Sequence, residues 1–409
     1  MTLVAADVRR EFPVFAEPGT RLAYLDNAAT TQKPRRVLEA MNELYRSACA
    51  NVHRSAYRLA AQASDAYEGA RERIRSFVGA AHSSEILFTS GATGSINAVA
   101  DGLRRRGLAA GSEIVVSVLE HHSNFVPWQR LCAEAGAQLV VVPCDALGCI
   151  DLRALELKVG PRTALVACTH VSNVLGTIQP IHDIVRIARR HGALTLIDGA
   201  QAAPRLPLDL SALGADFYVF SAHKAYGPFG IGVLYACASA QAWLAPYQTG
   251  GGMIERVEEG DTSFAPAPAR FEAGTPNLAG AVGLAAATDY LTTLAMPEVA
   301  AHEQALLEHC VEALCALPGV QLIGAPQLRS PAHAGLLSFT VDRIHPHDLA
   351  TVLDHAGVAI RAGQHCAQPL LHRLGVSATA RVSFGIYNDR DDVAALSEGV
   401  CDAIRRWRG

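Results

Sequence analysis

The chain has 409 residues, of which 50% are hydrophobic and 18% are charged, so it can bury a sizeable core and is not intrinsically disordered. Its 35 Lys and Arg are balanced by 39 Asp and Glu, which argues against a nucleic-acid-binding protein. No apolar run follows a basic start at the N-terminus, and prolines and glycines interrupt the uncharged segment 225–254. We therefore expect a cytoplasmic protein with no secretory signal and no membrane span.

Seven short β-rich segments alternate with helical stretches between residues 85 and 236. This alternation predicts an α/β fold whose large domain has a mostly parallel seven-stranded sheet covered by helices. One helix is predicted over 181–191, where apolar residues recur at helical spacing. The predicted strands are 85–89, 113–118, 138–142, 164–168, 194–198, 217–221 and 231–236.

The pattern changes after residue 290 and predicts a smaller α+β domain. We expect residues 1–20 to form an N-terminal arm of this small domain, residues 21–290 to form the large domain and residues 291–409 to form the small C-terminal domain. The elements predicted in the small domain are helices at 297–317, 347–356 and 390–407, and strands at 335–341, 358–361 and 381–385.

Polar residues follow the strands of the predicted sheet, at the edge where open α/β sheets bind ligands. The glycine-rich segment 89–95 ends one strand and begins a helix near Thr93. Free N–H groups and hydroxyls at a helix start can bind an anion, and a plain turn is the alternative. His121 and His122 follow the next strand. An imidazole there either stacks on a planar ring and moves protons, or serves only as a structural hydrogen-bonding group.

An acidic residue ends one further strand, and a basic residue follows another. Asp198 closes the apolar strand 194–198, so its carboxylate either caps the next turn or faces a bound cation. Lys224 follows strand 217–221, where burial would lower its pKa and let the neutral amine form a Schiff base; a surface lysine is the alternative. Pyridoxal 5′-phosphate (PLP) requires a lysine, a carboxylate for its pyridine nitrogen and an anion site for its phosphate. All three are present, so PLP is the predicted cofactor.

The ten cysteines have no zinc-ligand spacing, so no metal site is predicted, and most are expected to be small buried hydrophobic residues. Cys366 differs because the glycine, polar residues and proline around it predict an exposed, mobile loop. Arg361 and His365 are expected to favour its thiolate form. An inert loop thiol is the alternative, but beside a PLP site a nucleophilic thiol indicates sulfur chemistry.

Seven motifs follow one another from about residue 20 to the C-terminus. They are 24–29 (YLDNAA), 120–128 (EHHSNFVPW), 169–176 (THVSNVLG), 198–201 (DGAQ), 221–228 (SAHKAYGP), 270–277 (RFEAGTPN) and 361–366 (RAGQHC). In this order they resemble the SufS-type (group II) cysteine desulfurases, which belong to the class V aminotransferase group of fold-type I PLP enzymes.

The resemblance implies a role for each matching residue. Lys224 would hold PLP in the large domain, Asp198 would pair with the ring nitrogen, and Gln201 would contact the ring hydroxyl. His121 would stack on the ring and, with Lys224 and the Cys366 loop of the small domain, take part in catalysis. Two sets of ligands are also implied: for the phosphate, Thr93, Ser221, His223 and, from the other subunit of a homodimer, Thr275; for the substrate, Asn173, Arg361 and Arg381, the last as the carboxylate clamp.

These roles imply a desulfurase that converts L-cysteine to L-alanine and leaves a persulfide on Cys366. A SufU-like or SufE-like acceptor protein would then take the sulfur for iron–sulfur cluster or related biosynthesis. The segment 345–348 resembles members that use the zinc protein SufU, with His347 taking over a zinc ligand; a polar helix cap is the alternative.

Two other functions stay open: a selenocysteine lyase of the same family, and a catalytically weak sulfur-transfer scaffold. An NAD-dependent enzyme is disfavoured because no dinucleotide fingerprint follows any strand. Two positions depart from the family pattern, since Gln364 stands where a histidine is usual and Gly94 where a glutamate is common.

Overall fold

The computed structural model describes residues 3–16, 21–53, 57–324 and 332–408. Of the predicted N-terminal arm, residues 1, 2 and 17–20 lie outside the described residues, as do 325–331 and 409 of the predicted small domain. The division into an arm, a large domain and a small domain stays a prediction.

Helices and strands alternate through the first half of the chain. In order they are α1 (Ala5–Arg10), β1 (Ala23–Tyr24), α2 (Arg35–Ser47), α3 (Arg58–Val78), β2 (Ile86–Thr89), α4 (Ala92–Arg106), β3 (Glu113–Ser117), α5 (Val126–Ala135), β4 (Gln138–Val142), α6 (Leu152–Lys158), β5 (Thr163–Thr169), α7 (Ile181–Arg190) and β6 (Leu194–Asp198).

The second half continues with α8 (Leu210–Leu213), β7 (Phe217–Ser221), β8 (Gly232–Ala236), α9 (Ala238–Gln241), β9 (Ile254–Val257), β10 (Thr262–Phe264), α10 (Leu278–Leu294) and α11 (Met296–Cys315). It ends with β11 (Val320–Ile323), β12 (Leu336–Val341), α12 (Pro346–His355), β13 (Val358–Ala359), β14 (Arg361–Gly363), α13 (Gln368–Arg373), β15 (Thr379–Ser383) and α14 (Arg390–Arg408).

A seven-stranded sheet lies at the centre, with strand order β2-β8-β7-β6-β5-β3-β4. All neighbouring strands are parallel except β8, which runs antiparallel to both β2 and β7. The predicted α/β fold with a mostly parallel seven-stranded sheet is therefore confirmed, and each predicted strand is found within about one residue of its expected bounds.

The central strands are buried on both faces because side chains alternate between two hydrophobic cores. On β6, Leu196 packs into one core and Ile197 into the other. The predicted helix α7 contributes its apolar stripe, including Ile184 and Ala188, to the core that Ile197 joins. A polar residue at the end of such a strand is held at a defined place on the sheet edge.

A second sheet of four antiparallel strands has the order β11-β12-β15-β14 and covers a core shared with α11, α12 and α14. The start of the chain joins this part of the molecule, since β1 pairs in parallel with β13. Phe12, just after α1, packs its ring against those of Tyr226, Tyr290 and Tyr387. A bridge between Asp26 and Ser383 fixes the residues near position 26 against β15 of the four-stranded sheet.

Some elements differ from the sequence prediction. The single strand expected at 358–361 is two short strands, because β13 pairs with β1 whereas β14 pairs with β15. Sequence patterns did not predict β11, α13 or the exposed hairpin of β9 and β10, which are short and lack clear apolar periodicity.

Across the described ranges, no single helix is both long and apolar enough to cross a membrane. Taken together, α10 and α11 have the length and apolar composition of a membrane span, and they are bent by 78° at their junction.

Candidate active site

A cavity of about 230 Å³ opens at the carboxyl ends of β5, β6 and β7, beside the loop that follows β14. It brings together all the predicted site residues except Thr275 and His347. The predicted residues that line it are Thr93, His121, Asn173, Asp198, Gln201, Ser221, His223, Lys224, Arg361, Cys366 and Arg381.

Asp198 ends β6 and Lys224 follows the adjacent parallel strand β7, which places both at the same edge of the sheet. Asp198 is buried and accepts a hydrogen bond at 3.0 Å from the N–H of Ala200, so it caps the following turn. Burial raises the pKa of Asp198, and the charge of Lys224 opposes this rise. Burial lowers the pKa of Lys224 to about 8, with Asp198 acting in the other direction. The amine is thus poised for nucleophilic chemistry near neutral pH.

The glycine-rich segment after β2 leads into the first turn of α4 at the cavity. The N–H of Ala92 donates to Oγ of Ser221 at 2.8 Å, so Ser221 lies against the first turn of the helix. Oγ1 of Thr93 lies 2.7 Å from Oγ of Ser123. Hydroxyls and helix N–H groups therefore converge on one end of the cavity, which favours the anion-site interpretation over a plain turn.

His121 lies on the cavity wall as the cap of a short 3₁₀ helix, His122–Asn124. Its Nδ1 accepts the N–H of Ser123 at 3.1 Å, which places the ring proton on Nε2. Burial and the nearby charge of Lys224 lower the pKa of His121 to about 3. The ring is therefore neutral at physiological pH and can stack on a planar ligand.

Two arginines line the cavity, Arg361 and Arg381. They are directly opposite each other on the antiparallel strands β14 and β15, so their side chains are on the same face of the sheet. Nη1 of Arg381 donates to the carbonyl of Asn173 at 2.9 Å, and Nη2 donates to Asp26 at 3.1 Å. Nη1 of Arg361 lies 4.0 Å from the same carboxylate. Burial lowers the pKa of Arg381 to about 10 while Asp26 raises it, so the guanidinium stays charged at neutral pH.

The loop of Cys366 is held by hydrogen bonds. The N–H of His122 donates to the carbonyl of Cys366 at 2.7 Å, and Nδ2 of Asn173 donates to the carbonyl of His365 at 2.7 Å. His365 and Cys366 both have left-handed backbone angles, with φ of 52° and 54°, which is a strained conformation typical of functional sites. Cys366 is half-buried, so the loop is less exposed than the sequence predicted.

His365 does not supply the positive charge expected from the sequence. Its Nε2 lies 2.8 Å from Oγ1 of Thr379, and its ring is buried. Burial lowers the pKa of His365 to about 3, so the ring is neutral at pH 7. The cation that interacts electrostatically with Cys366 is instead Lys224.

Thr275 and His347 lie elsewhere. Thr275 is exposed and lines a separate pocket with Gly252 and Glu272. His347 is exposed at the start of α12, where its N–H donates to Nδ1 of His345, so a helix cap is present. It also borders the cysteine loop, because a Cβ at Gly363 would lie 3.9 Å from Nε2 of His347.

Ser123 and Thr169 line the cavity, and Asp26 pairs with Arg381 of its wall. None of the three was predicted from the sequence as a site residue, although each lies in or beside a recognised motif. The departures from the family pattern are also accommodated. Oε1 of Gln364 accepts a hydrogen bond at 2.6 Å from the side chain of Gln368, at the start of α13. A Cβ at Gly94 would lie 2.6 Å from Oγ of Ser90, so that side chain would have to rotate if another residue stood there.

The residues that line the cavity fit PLP. Three buried nitrogens on the wall have no hydrogen-bond partner within the described residues: Nδ1 of His223, Nδ1 of His365 and Nε of Arg381. Buried polar atoms are normally satisfied, so these indicate a polar, anionic ligand. Over the same part of the chain, no cluster of three or more His, Cys, Asp or Glu side chains is arranged to hold a metal ion.

Comparisons with known proteins agree with this chemistry. The model of the family "Aminotransferase class-V" matches residues 23–396. The chain is 46% identical to a probable cysteine desulfurase of Halalkalibacterium halodurans, over 97% of each chain. Three other curated relatives are longer, and the chain spans 57% to 63% of their length.

Solved structures are also similar to this chain over nearly its whole length. The crystal structure of the cysteine desulfurase CsdA from Escherichia coli has a TM-score of 0.91 and 37% identity, with 99% of each chain covered. A C-DES variant with glycine covalently linked to its PLP cofactor has a TM-score of 0.83 and 25% identity, with 96% of this chain and 99% of that chain covered.

Proposed function

The chain belongs to the class-V aminotransferase family and is a PLP-dependent cysteine desulfurase, and on this basis we propose how its residues share the reaction and where the sulfur goes. One observation carries the proposal. Asp198 and Lys224 lie at the ends of two strands of the seven-stranded sheet, and Cys366 lies in the loop that follows β14 of the four-stranded sheet, yet all three line one cavity.

Lys224 would hold PLP, Asp198 would pair with the pyridine nitrogen, and His121 would stack on the ring. Thr93, Ser221 and His223 would bind the phosphate at the start of α4. The bound cofactor supplies an electron sink that stabilises negative charge at the α-carbon of the substrate and weakens the bond between its β-carbon and sulfur.

The amino group of Lys224 would take the proton from the α-carbon of L-cysteine, since its lowered pKa lets the neutral amine act as a base. Arg381 would bind the substrate carboxylate, because its Nε is buried without a hydrogen-bond partner in the described structure. Asn173 and Arg361 would complete the substrate site.

Cys366 would then attack the substrate sulfur as a thiolate. A sulfur–sulfur bond would form and the carbon–sulfur bond would break, with its electron pair going to the β-carbon, which is then protonated. Lys224 would return a proton to the α-carbon, which gives L-alanine. The persulfide would be left on the loop that follows β14, and Gly363 at the end of β14 lies close to the exposed His347. This position supports sulfur transfer to a SufU-like acceptor, with a SufE-like protein as the other candidate.

We further propose a cytoplasmic homodimer. The exposed position of Thr275, outside the cavity of its own chain, supports its use in the site of a second subunit. All ten cysteines are free thiols, which is the usual state in a reducing compartment.

The test compares L-cysteine with L-selenocysteine in the PLP-loaded protein, with Lys224→Ala as the control. A desulfurase gives a visible absorbance band and forms alanine from L-cysteine, and Lys224→Ala gives neither. Turnover of selenocysteine alone would indicate the lyase. A colourless wild-type protein without turnover would indicate the scaffold.

A further inference from the structure

The side-chain amide of Gln201 is held on both of its ends. Its Nε2 donates to the carbonyl of Ala28 at 2.8 Å, and its Oε1 accepts from Nη1 of Arg205 at 3.2 Å. Because a guanidinium carries only donors, the amide oxygen must face Arg205. The amide nitrogen then keeps one N–H for the cavity that Gln201 lines.

Arg205 is itself fixed in a buried position. Its Nη2 donates to the carbonyl of Phe384 at 3.3 Å, and its Nε lies 3.0 Å from the carboxylate of Glu303, as an ion pair rather than an aligned hydrogen bond. Both side chains of this pair are only 2% exposed. A buried charge is tolerated only with such partners, so Glu303 of α11 holds Arg205 against Gln201.

We propose that Arg205 is a positioning residue for the cofactor: it orients Gln201 so that an N–H donor, and not the amide oxygen, faces the ring oxygen of PLP. This inference rests on the proposed function and goes beyond it. Arg205 and Glu303 do not line the cavity, and Arg205 contacts the cavity wall through Gln201. Its charge also lowers the pKa of Lys224, so a variant that keeps the charge, Arg205→Lys, belongs in the test.

The arrangement has a measurable consequence. The negative charge on the ring oxygen helps to keep a proton on the nitrogen that joins Lys224 to PLP. An N–H donor at that oxygen withdraws part of this charge. Loss of the donor should therefore raise the pKa at which the visible band of the bound cofactor changes, and it should weaken PLP binding.

The experiment compares Arg205→Met, Arg205→Lys and Arg9→Met, in PLP-loaded protein for the spectra and in stripped protein for PLP affinity. Arg9 is the control because it is another largely buried arginine paired with a carboxylate, that of Asp392. Arg205→Met should raise the pKa of the visible band by about 1 and weaken PLP binding about tenfold. Arg205→Lys should restore part of both effects, and Arg9→Met should lower stability without changing either.

A second comparison covers the case in which Arg205→Met fails to fold. In a Gln201→Leu background, Arg205→Lys should have no further effect on the pKa of the band. An unchanged pKa and PLP affinity in Arg205→Met, or a further shift in the Gln201→Leu background, would overturn the proposal. A wild-type protein with no visible band would overturn the proposed function as well, and so the two failures are distinguishable.

Discussion

The carboxylate of Asp26 lies 3.1 Å from Nη2 of Arg381, although the two residues are 355 positions apart in the chain. A β-bridge between Asp26 and Ser383 brings the N-terminal segment against β15. Ser383 is two residues from Arg381, so the two side chains are on the same face of that strand. Arg361 is directly opposite Arg381 on β14, so two like charges face each other. Asp26 offsets this repulsion and keeps both guanidinium groups at the cavity.

Asp26→Asn should lower the free energy of unfolding by about 2 kcal/mol, because it leaves the buried charge of Arg381 without its anionic partner. Urea denaturation of the cofactor-free protein measures this. The loss of stability in the double variant Asp26→Asn/Arg381→Gln should be clearly smaller than the sum of the losses in the two single variants, since each single variant removes the same interaction. Strict additivity would show that Asp26 does not act through Arg381. Asp7→Asn, an exposed aspartate, is the control.

Covalent loading of PLP onto Lys224 should depend on pH. Burial lowers the pKa of this amine to about 8, and only the neutral amine reacts. The loading rate of stripped protein should rise about tenfold per pH unit below pH 8 and level off above it. Stopped-flow absorbance measures the rate. A rate that keeps rising to pH 10 would indicate an ordinary, solvated lysine.

Thr275→Ala should weaken PLP binding although Thr275 lies outside the cavity of its own chain. The loss of a hydrogen bond to a charged phosphate predicts a drop in affinity of roughly tenfold. Thr262→Ala, which alters another exposed threonine, should leave the affinity unchanged. Sedimentation should give twice the chain mass of 43.3 kDa. A monomer with full PLP affinity would contradict the shared site.

His347→Ala should abolish stimulation by a SufU-like acceptor and leave basal alanine formation intact, because His347 borders the cysteine loop but does not line the cavity. His355→Ala is a matched control at the other end of the same helix. Initial rates with SufU-like, SufE-like and no acceptor make the comparison. Equal stimulation of the His347→Ala variant and the wild type would contradict this role.

Sequence patterns predicted the central sheet well because its strands are apolar, short and separated by helices. They also placed Asp198 and Lys224 correctly, since the carboxyl ends of adjacent parallel strands must meet at one edge. The reversed direction of β8 was not predicted, because strand direction depends on the connection after Lys224 and not on strand composition.

The pairing partners of the charged residues could not be predicted. Tertiary packing brings Asp26 to Arg381 and Glu303 to Arg205, and the members of each pair are far apart in the chain. The restraint of the Cys366 loop was missed for the same reason. Glycine and polar residues predict a loop, but its hydrogen bonds come from His122 and Asn173 in distant segments.

The central claim is that Cys366 accepts the sulfur of a substrate bound at Lys224. Peptide mass spectrometry after incubation with L-cysteine tests this most directly, in wild type, Lys224→Ala, Cys366→Ala and the half-buried control Cys149→Ala. We predict one added sulfur on the Cys366 peptide in wild type and Cys149→Ala, none in Lys224→Ala, and loss of alanine formation in Cys366→Ala. Full alanine formation by Cys366→Ala, with the added sulfur on another cysteine or on none, would contradict the account.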